Sequence, residues 1–275
     1  MTRTRILGVH GVGNYQAGLD PVAASGLLTR RWSTALHRNL SMPTGLDMSV
    51  AYYAHRLSQD IAQGDEDLAH LPEPVQRDII RWAQFLGAPD ETPQGRITAP
   101  VRAFVEWVSA RFGLDSRLAR KFITTFFREV HTYFDDTPRR TSAIQDVADA
   151  VERHRPSVIL AHSLGSVVTY EALTTHPHPD VDLLITLGSP LAMPDIVLDR
   201  LRAPTACPPG VAQWINIADP GDIIAVPRNG ISRSFSGVTA DITDSIHSFD
   251  FHRATHYLQC GATTGALAAR VNNGP

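Results

Sequence analysis

The sequence predicts an α/β fold: a mostly parallel central sheet with helices on both faces and an inserted helical block. Three observations predict it. Short apolar runs at residues 6–10, 48–54, 158–162, 183–187 and 213–218 have the length and composition of buried strands. From residue 158 onward such runs alternate with helical patterns, the arrangement that builds parallel sheets. Between the second and third runs, about a hundred residues intervene where the fold needs a single helix.

The first run, Ile6-Leu-Gly-Val-His10, opens into Gly-Val-Gly-Asn, a buried strand followed by a tight loop. Residues 20–40 then space Leu27, Leu28, Trp32, Ala35 and Leu36 as one helical face. Residues 48–54 form the second strand.

The block 55–140 is different in character. Leu71-Pro-Glu-Pro is a turn suited to starting a helix that carries Ile79, Ile80, Trp82, Ala83, Phe85 and Leu86. A Pro/Gly-rich break spans 87–100. Val101, Phe104, Val105 and Val108, then Phe122, Ile123, Phe126, Phe127, Val130 and Phe134, follow i, i+3, i+4 spacing and predict amphipathic helices. Two roles fit so aromatic a block: packing of its own core, or a cap over an active site. The whole chain 1–275 is expected to form a single domain with 55–140 as its insert.

Residues 142–153 predict a helix opened by a capping box, Ser142-Ala-Ile-Gln145, and ended near Pro156. Strands at 158–162, 183–187 and 213–218 follow, with a helix at 164–175. A terminal helix is expected over 256–271.

Composition narrows the function classes. Hydrophobic residues make up 43%, enough for a sizeable core, and the formal net charge of -3 gives no reason to expect a nucleic-acid partner. There is no apolar run of eighteen residues to span a bilayer, and the N-terminus lacks the pattern of a signal peptide. Cys207 and Cys260 are too few for a disulfide framework or a zinc knuckle. A cytoplasmic location is the expectation, with no cofactor.

The segment Val158-Ile-Leu-Ala-His-Ser-Leu-Gly-Ser-Val-Val carries the chemistry. Ser163 stands between a buried strand and a helix, with the small residues Ala161 and Gly165 two positions to either side. This is the nucleophile-elbow pattern G-x-S-x-G with alanine in the first place. A sharp turn lifts the hydroxyl above the sheet, close packing excludes bulky flanks, and the helix start aims amides at developing negative charge. The alternative role for Ser163 is an ordinary N-cap.

With His10-Gly-Val-Gly-Asn14, Ala161-His-Ser-Leu-Gly165 and Leu187-Gly-Ser-Pro190 in place, the chain resembles the α/β-hydrolase superfamily, particularly its lipase- and esterase-like members. The resemblance covers most of the chain outside 55–140. It implies an oxyanion hole from two backbone amides, that of Leu164 after the nucleophile and that of Val12 in the early loop, with His10 and Gly11 ordering the loop. A competing dinucleotide fingerprint at Gly11-Val-Gly13 fails because Gln16 stands where the third glycine belongs.

A serine hydroxyl needs a histidine base, and the histidine needs an acid to hold its tautomer. The resemblance implies the chain order Ser, Asp/Glu, His. Asp222 is the first choice for the acid, since its surroundings Asp-Ile-Ile-Ala-Val-Pro227 are similar to those of the family's acid; Asp219 is the second, and otherwise shapes the turn. His252 is the first choice for the base because it precedes the terminal helix, where family histidines sit. His256 is second and His247 third.

His252 and His256 could bind a metal if both were helical, but Arg253 stands where H-E-x-x-H needs glutamate, so no catalytic metal is predicted. His176-Pro-His178 reads as a solvated loop. The expected reaction is hydrolysis of a carboxylic ester, with an apolar acyl substrate, through an acyl-serine. A thioesterase or amidase would use the same machinery. A non-catalytic interaction module is the alternative of a different class, and the helical insert could also mediate oligomerisation.

Overall fold

The structure is a computed structural model that describes residues 3–39, 45–58, 71–88, 98–113, 115–202, 204–225, 227, 229–246 and 252–272. His247 and most of the break at 87–100 lie outside the described residues. The chain divides into two compact units, Met1–His55 with Thr141–Pro275, and Arg56–Arg140.

The first unit is built on a six-stranded, all-parallel sheet. Its strands are β1 (Thr4–Val9), β2 (Leu46–Ala51), β3 (Val158–His162), β4 (Val181–Leu187), β5 (Val211–Ala218) and β6 (Ala240–Thr243), in the order β2-β1-β3-β4-β5-β6. The helices α1 (Pro21–Asn39) and α7 (Leu164–Thr175) cross between consecutive parallel strands. The path runs one way from β1 to β2 and the other way from β3 to β4. Right-handed crossovers therefore place α1 and α7 on opposite faces. The β1–β3 junction is the point where the strand order reverses, and the crevice at the carboxyl ends of such strands is where α/β sheets bind ligands.

Side-chain alternation distributes the core between the two faces. Ile6, Val158, Leu160, Leu183, Ile185 and Ile217 join Leu28, Trp32 and Leu36 of α1 in one cluster. Leu258 of α8 (Ala254–Gln259) and Leu267 of α9 (Gly261–Asn272) complete it. Leu7, Ile159, Ala161 and Leu184 point the other way and are also fully buried. Each large aliphatic side chain removed from water in this way contributes about 2 kcal/mol. β3 is buried along its entire length, as its place between β1 and β4 requires.

In the second unit, α3 (Glu73–Phe85), α4 (Thr98–Phe112) and α5 (Ser116–Asp135) pack against one another. The Trp82 ring lies edge-on to Phe104 at 5.0 Å and against Phe127 at 5.2 Å. The aromatic residues of this block thus make contacts within their own unit. Asp115 caps α5 by accepting from the amides of Arg117 and Leu118. The buried Glu129 carboxylate accepts from Ser58 Oγ at 2.9 Å.

Several elements differ from expectation. α6 runs Thr137–His154, so Ser142 is an interior helical residue and no capping box forms there. Asp136 accepts from the Arg139 amide at 3.0 Å at the helix start, and Gln145 reaches forward to Asp149. The expected terminal helix is two helices, α8 and α9, separated at Cys260. His178 is buried rather than solvated, and its Nδ1 accepts from the Asp180 amide. The half-exposed edge strand β6 and the single turn α2 (Ala54–Leu57) have no apolar run long enough to mark them.

Candidate active site

β3 ends and α7 begins with one residue between them, Ser163. Its backbone lies at φ 55°, ψ −132°, a region that side-chain-bearing residues rarely enter. Such a conformation costs on the order of 1–3 kcal/mol and persists only where neighbours hold it. Here they do. The Ser163 amide donates to Leu187 O at 3.0 Å, extending the β3–β4 ladder by one bond. The Ser163 carbonyl accepts from the Ser166 amide at 2.9 Å and from Ser166 Oγ at 2.6 Å. Because the Ser166 hydroxyl proton is committed to that carbonyl, the 2.6 Å contact with Ser189 Oγ has Ser189 as donor. Ser189 sits in the Gly-Ser-Pro turn after β4, so that turn braces the elbow.

Close backbone approach explains the small residues. A Cβ on Gly165 would lie 2.3 Å from His10 O and 2.6 Å from Val9 O, because α7 starts against the end of β1. A Cβ on Gly11 would lie 2.5 Å from Ser163 Cβ, so the early loop closes directly on the elbow. Val12 is the next residue of that loop. Leu164 is the first residue of α7, where backbone amides have no carbonyl partner within the helix. The Ser163 hydroxyl is fully buried and makes no hydrogen bond among the described residues.

His10 holds the early loop. Its Nδ1 donates to Gly11 O at 2.9 Å, its Nε2 accepts from the Tyr53 amide at 3.3 Å, and its carbonyl accepts from Tyr53 Oη at 2.8 Å. These bonds assign the neutral Nδ1–H tautomer. The ring stacks on Tyr53 at 4.4 Å. Burial lowers the His10 pKa to about 4; the bond to Gly11 opposes the shift and the His55 charge adds to it. Asn14 Nδ2 donates to the carbonyls of Gly11 and Val12, both at 3.0 Å, and tightens the turn.

Asp222 and His252, 30 residues apart, meet at 2.6 Å between Oδ2 and Nδ1, and both side chains are buried. Asp222 Oδ1 accepts from the Ile224 amide at 2.9 Å, which fixes the carboxylate plane. The His252 ring lies 4.7 Å from the ring of His162, the residue immediately before Ser163. With Nδ1 donating to Asp222, a neutral His252 carries its lone pair on Nε2, the tautomer a general base requires. Burial drives the His162 pKa well below its usual value, and the neighbouring His252 and His10 push the same way. His162 is therefore a neutral ring packed beside the pair.

The other two candidates lie elsewhere. Asp219 Oδ1 accepts from the Gly221 amide at 2.5 Å and Oδ2 from the Ile246 amide at 2.6 Å, so it shapes the loop that carries Asp222. His256 is inside α8 and lines a groove between α8 and α1. His252 is two residues ahead of that helix, so the two histidines do not share a helical face. Among the described residues no group of three or more metal-binding side chains forms, and no helix is long and apolar enough to cross a membrane.

Tyr257 is the main residue that sequence reasoning missed. Its hydroxyl donates to Asp222 Oδ2 at 2.7 Å and accepts from the Asp219 amide at 3.0 Å. Burial, then the Asp222 charge, raises its pKa well above the usual value, so it stays a donor. The signal was its place five residues past the candidate histidine, but only the true start of α8 shows that this position faces inward. Ser166 and Ser189 were missed because their roles depend on a contact across 23 residues. Comparison of the chain with protein-family profiles, curated proteins and solved structures gives no match.

Proposed function

We propose that this protein is a serine hydrolase of the α/β-hydrolase type that cleaves a carboxylic ester through an acyl-serine intermediate. The observation that carries the reading is the backbone of Ser163: a non-glycine residue at positive φ, alone between a buried parallel strand and a helix. In this reading Ser163 Oγ attacks the ester carbonyl carbon as His252 Nε2 takes its proton. The tetrahedral oxyanion is held by the amides of Leu164 and Val12, each worth about 3 kcal/mol of barrier. The carbon–oxygen bond to the alcohol breaks as His252 returns the proton to the leaving oxygen. Water, activated by the same histidine, then releases the acid. Asp222 holds the ring and stabilises the imidazolium. The 2.6 Å Asp222–His252 contact supports these roles. That Ser163 Oγ makes no hydrogen bond among the described residues is compatible with them, because catalytic bonds often tighten only with substrate bound.

A fluorophosphonate probe tests the proposal. It should label the wild-type chain and leave Ser163→Ala unlabelled; labelling that persists in the variant removes Ser163 as nucleophile. We propose further that the ester carries an apolar acyl group. A p-nitrophenyl ester series tests that part separately, and turnover that does not depend on acyl length removes it.

A further inference from the structure

We propose that the groove between α1 and α8 is a binding site for a phosphate-bearing anion. One wall is a single face of α1, which carries Arg30, Arg31, Thr34, Ala35 and Arg38 at i, i+1, i+4, i+5 and i+8. The other wall is the start and outer side of α8, with Arg253, Thr255, His256 and Gln259. The groove encloses about 480 Å³, and no carboxylate is among its lining residues.

Several arginines elsewhere in the chain are neutralised by a carboxylate. Arg77, Arg81, Arg139, Arg155 and Arg270 each meet an Asp or Glu within 3.6 Å. Arg30, Arg31 and Arg38 make no ion pair among the described residues, and Arg253 adds a fourth guanidinium beside them. The helix dipole accounts for Arg38, which lies in the last turn of α1 with His37. It does not account for Arg30 and Arg31, two turns earlier, where the field has decayed. Arg30, Arg31 and Arg38 repel one another, and a bound anion would relieve that repulsion.

The walls are set by the core beneath them rather than by the ligand. Ala35 and Leu36 of α1 and Leu258 of α8 are buried in one cluster, and Asn39 Nδ2 donates to Gln259 O at 2.8 Å. The backbone of both walls is therefore fixed before binding, which lowers part of the ordering cost. Guanidinium forks match phosphate oxygens two at a time, and a phosphate dianion can engage several forks at once. Thr34, Thr255 and Gln259 add neutral donors. The buried His256 Nδ1 has no hydrogen-bond partner among the described residues and lies beside the same groove. His256 lines the groove without being needed for the serine-hydrolase reading, and the site stands whether or not that reading holds.

The shared ligand chemistry is a phosphate group, from a free phosphorylated molecule or from a lipid headgroup. Calorimetry of the full chain with inorganic pyrophosphate tests the first source. Co-sedimentation with phosphatidylcholine vesicles, with and without phosphatidic acid, tests the second. Saturable pyrophosphate binding weakened about tenfold by Arg31→Ala, and again by Arg38→Ala, supports the site with a free ligand. Sedimentation that needs phosphatidic acid and is lost in the double variant supports it with a headgroup. Arg117→Ala, exposed on α5, should change neither result. Absence of both kinds of binding, or binding that the double variant leaves unchanged, overturns the proposal. Both arginines are exposed, and unchanged thermal unfolding of the double variant without ligand establishes that it is folded.

Discussion

Tyr257 and His252 hold the same oxygen of Asp222, at 2.7 Å and 2.6 Å. Through its second bond, to the Asp219 amide, the Tyr257 hydroxyl also ties the Asp222 loop to α8. A carboxylate shared in this way is fixed in position, and its charge is divided between two donors. Tyr257→Phe keeps the ring and removes both bonds. On the proposed mechanism it should lower kcat by roughly tenfold with KM little changed, the loss expected from one hydrogen bond to a charged group. Asp222 would then present more negative charge to the imidazolium, so the acid limb of the kcat/KM profile should move to higher pH. Steady-state kinetics across pH test this; a lower kcat with an unmoved acid limb would leave Tyr257 a purely structural role.

The two aspartates of the same loop should separate cleanly. Asp222→Asn should reduce turnover by about 10⁴ while the protein stays folded, the loss typical when the base is held in the wrong tautomer. Asp219→Ala should leave the Gly221 and Ile246 amides unsatisfied, at about 1–3 kcal/mol each. Urea unfolding reads the second effect and ester turnover the first. Equal turnover losses in the two variants would contradict the assignment.

The histidines divide the same way. His252→Ala should abolish ester turnover, and His256→Ala should leave it within a few-fold of wild type, because His256 lines the α1–α8 groove. Assays on a short p-nitrophenyl ester decide between them, and loss of turnover in His256→Ala alone would reverse the choice.

Gly165→Ala should be severely destabilising. Its Cβ would sit 2.3 Å from one backbone carbonyl oxygen and 2.6 Å from another, and neither can rotate away. The loss should exceed the roughly 1–3 kcal/mol of ordinary overpacking. A urea midpoint close to wild type would mean that α7 and β1 are further apart than described.

Stability should fall in mild acid. The folded His10 pKa, about 4, lies below its ordinary value of 6.5, so the unfolded chain binds the proton more tightly. The folded state is unpenalised above pH 6.5 and loses stability as pH falls from there to about 4. For His10 alone the loss is about 3 kcal/mol. His162 is displaced in the same direction and adds to it. Urea midpoints at pH 7, 5.5 and 4.5 read the effect, and a flat profile would mean that both rings are hydrated.

Much of the first unit was legible because parallel strands buried on both faces read as unbroken apolar runs. β3 was placed at its observed ends, Val158–His162, and the helix after it at Leu164–Thr175. The edge strand β6, half-exposed along its length, carries no such run. The start of α6 was misplaced by five residues because Ser142 and Gln145 fit a cap pattern, whereas Asp136 bonds the amide at the actual start.

The sequence by itself determined the turn at Ser163, because strand, small residues and helix are all local there. It also supplied two aspartates and the histidines in the order the reading needs. The sequence ranked Asp222 and His252 first, and the tertiary structure is what brings these two within 2.6 Å of each other. Asp219 and Asp222 sit three residues apart on one loop, and packing rather than local sequence decides which carboxylate faces amides and which faces a histidine 30 residues away. That difference is made by α8 packing into the core, which carries Tyr257 onto Asp222 and leaves His256 among the arginines of α1.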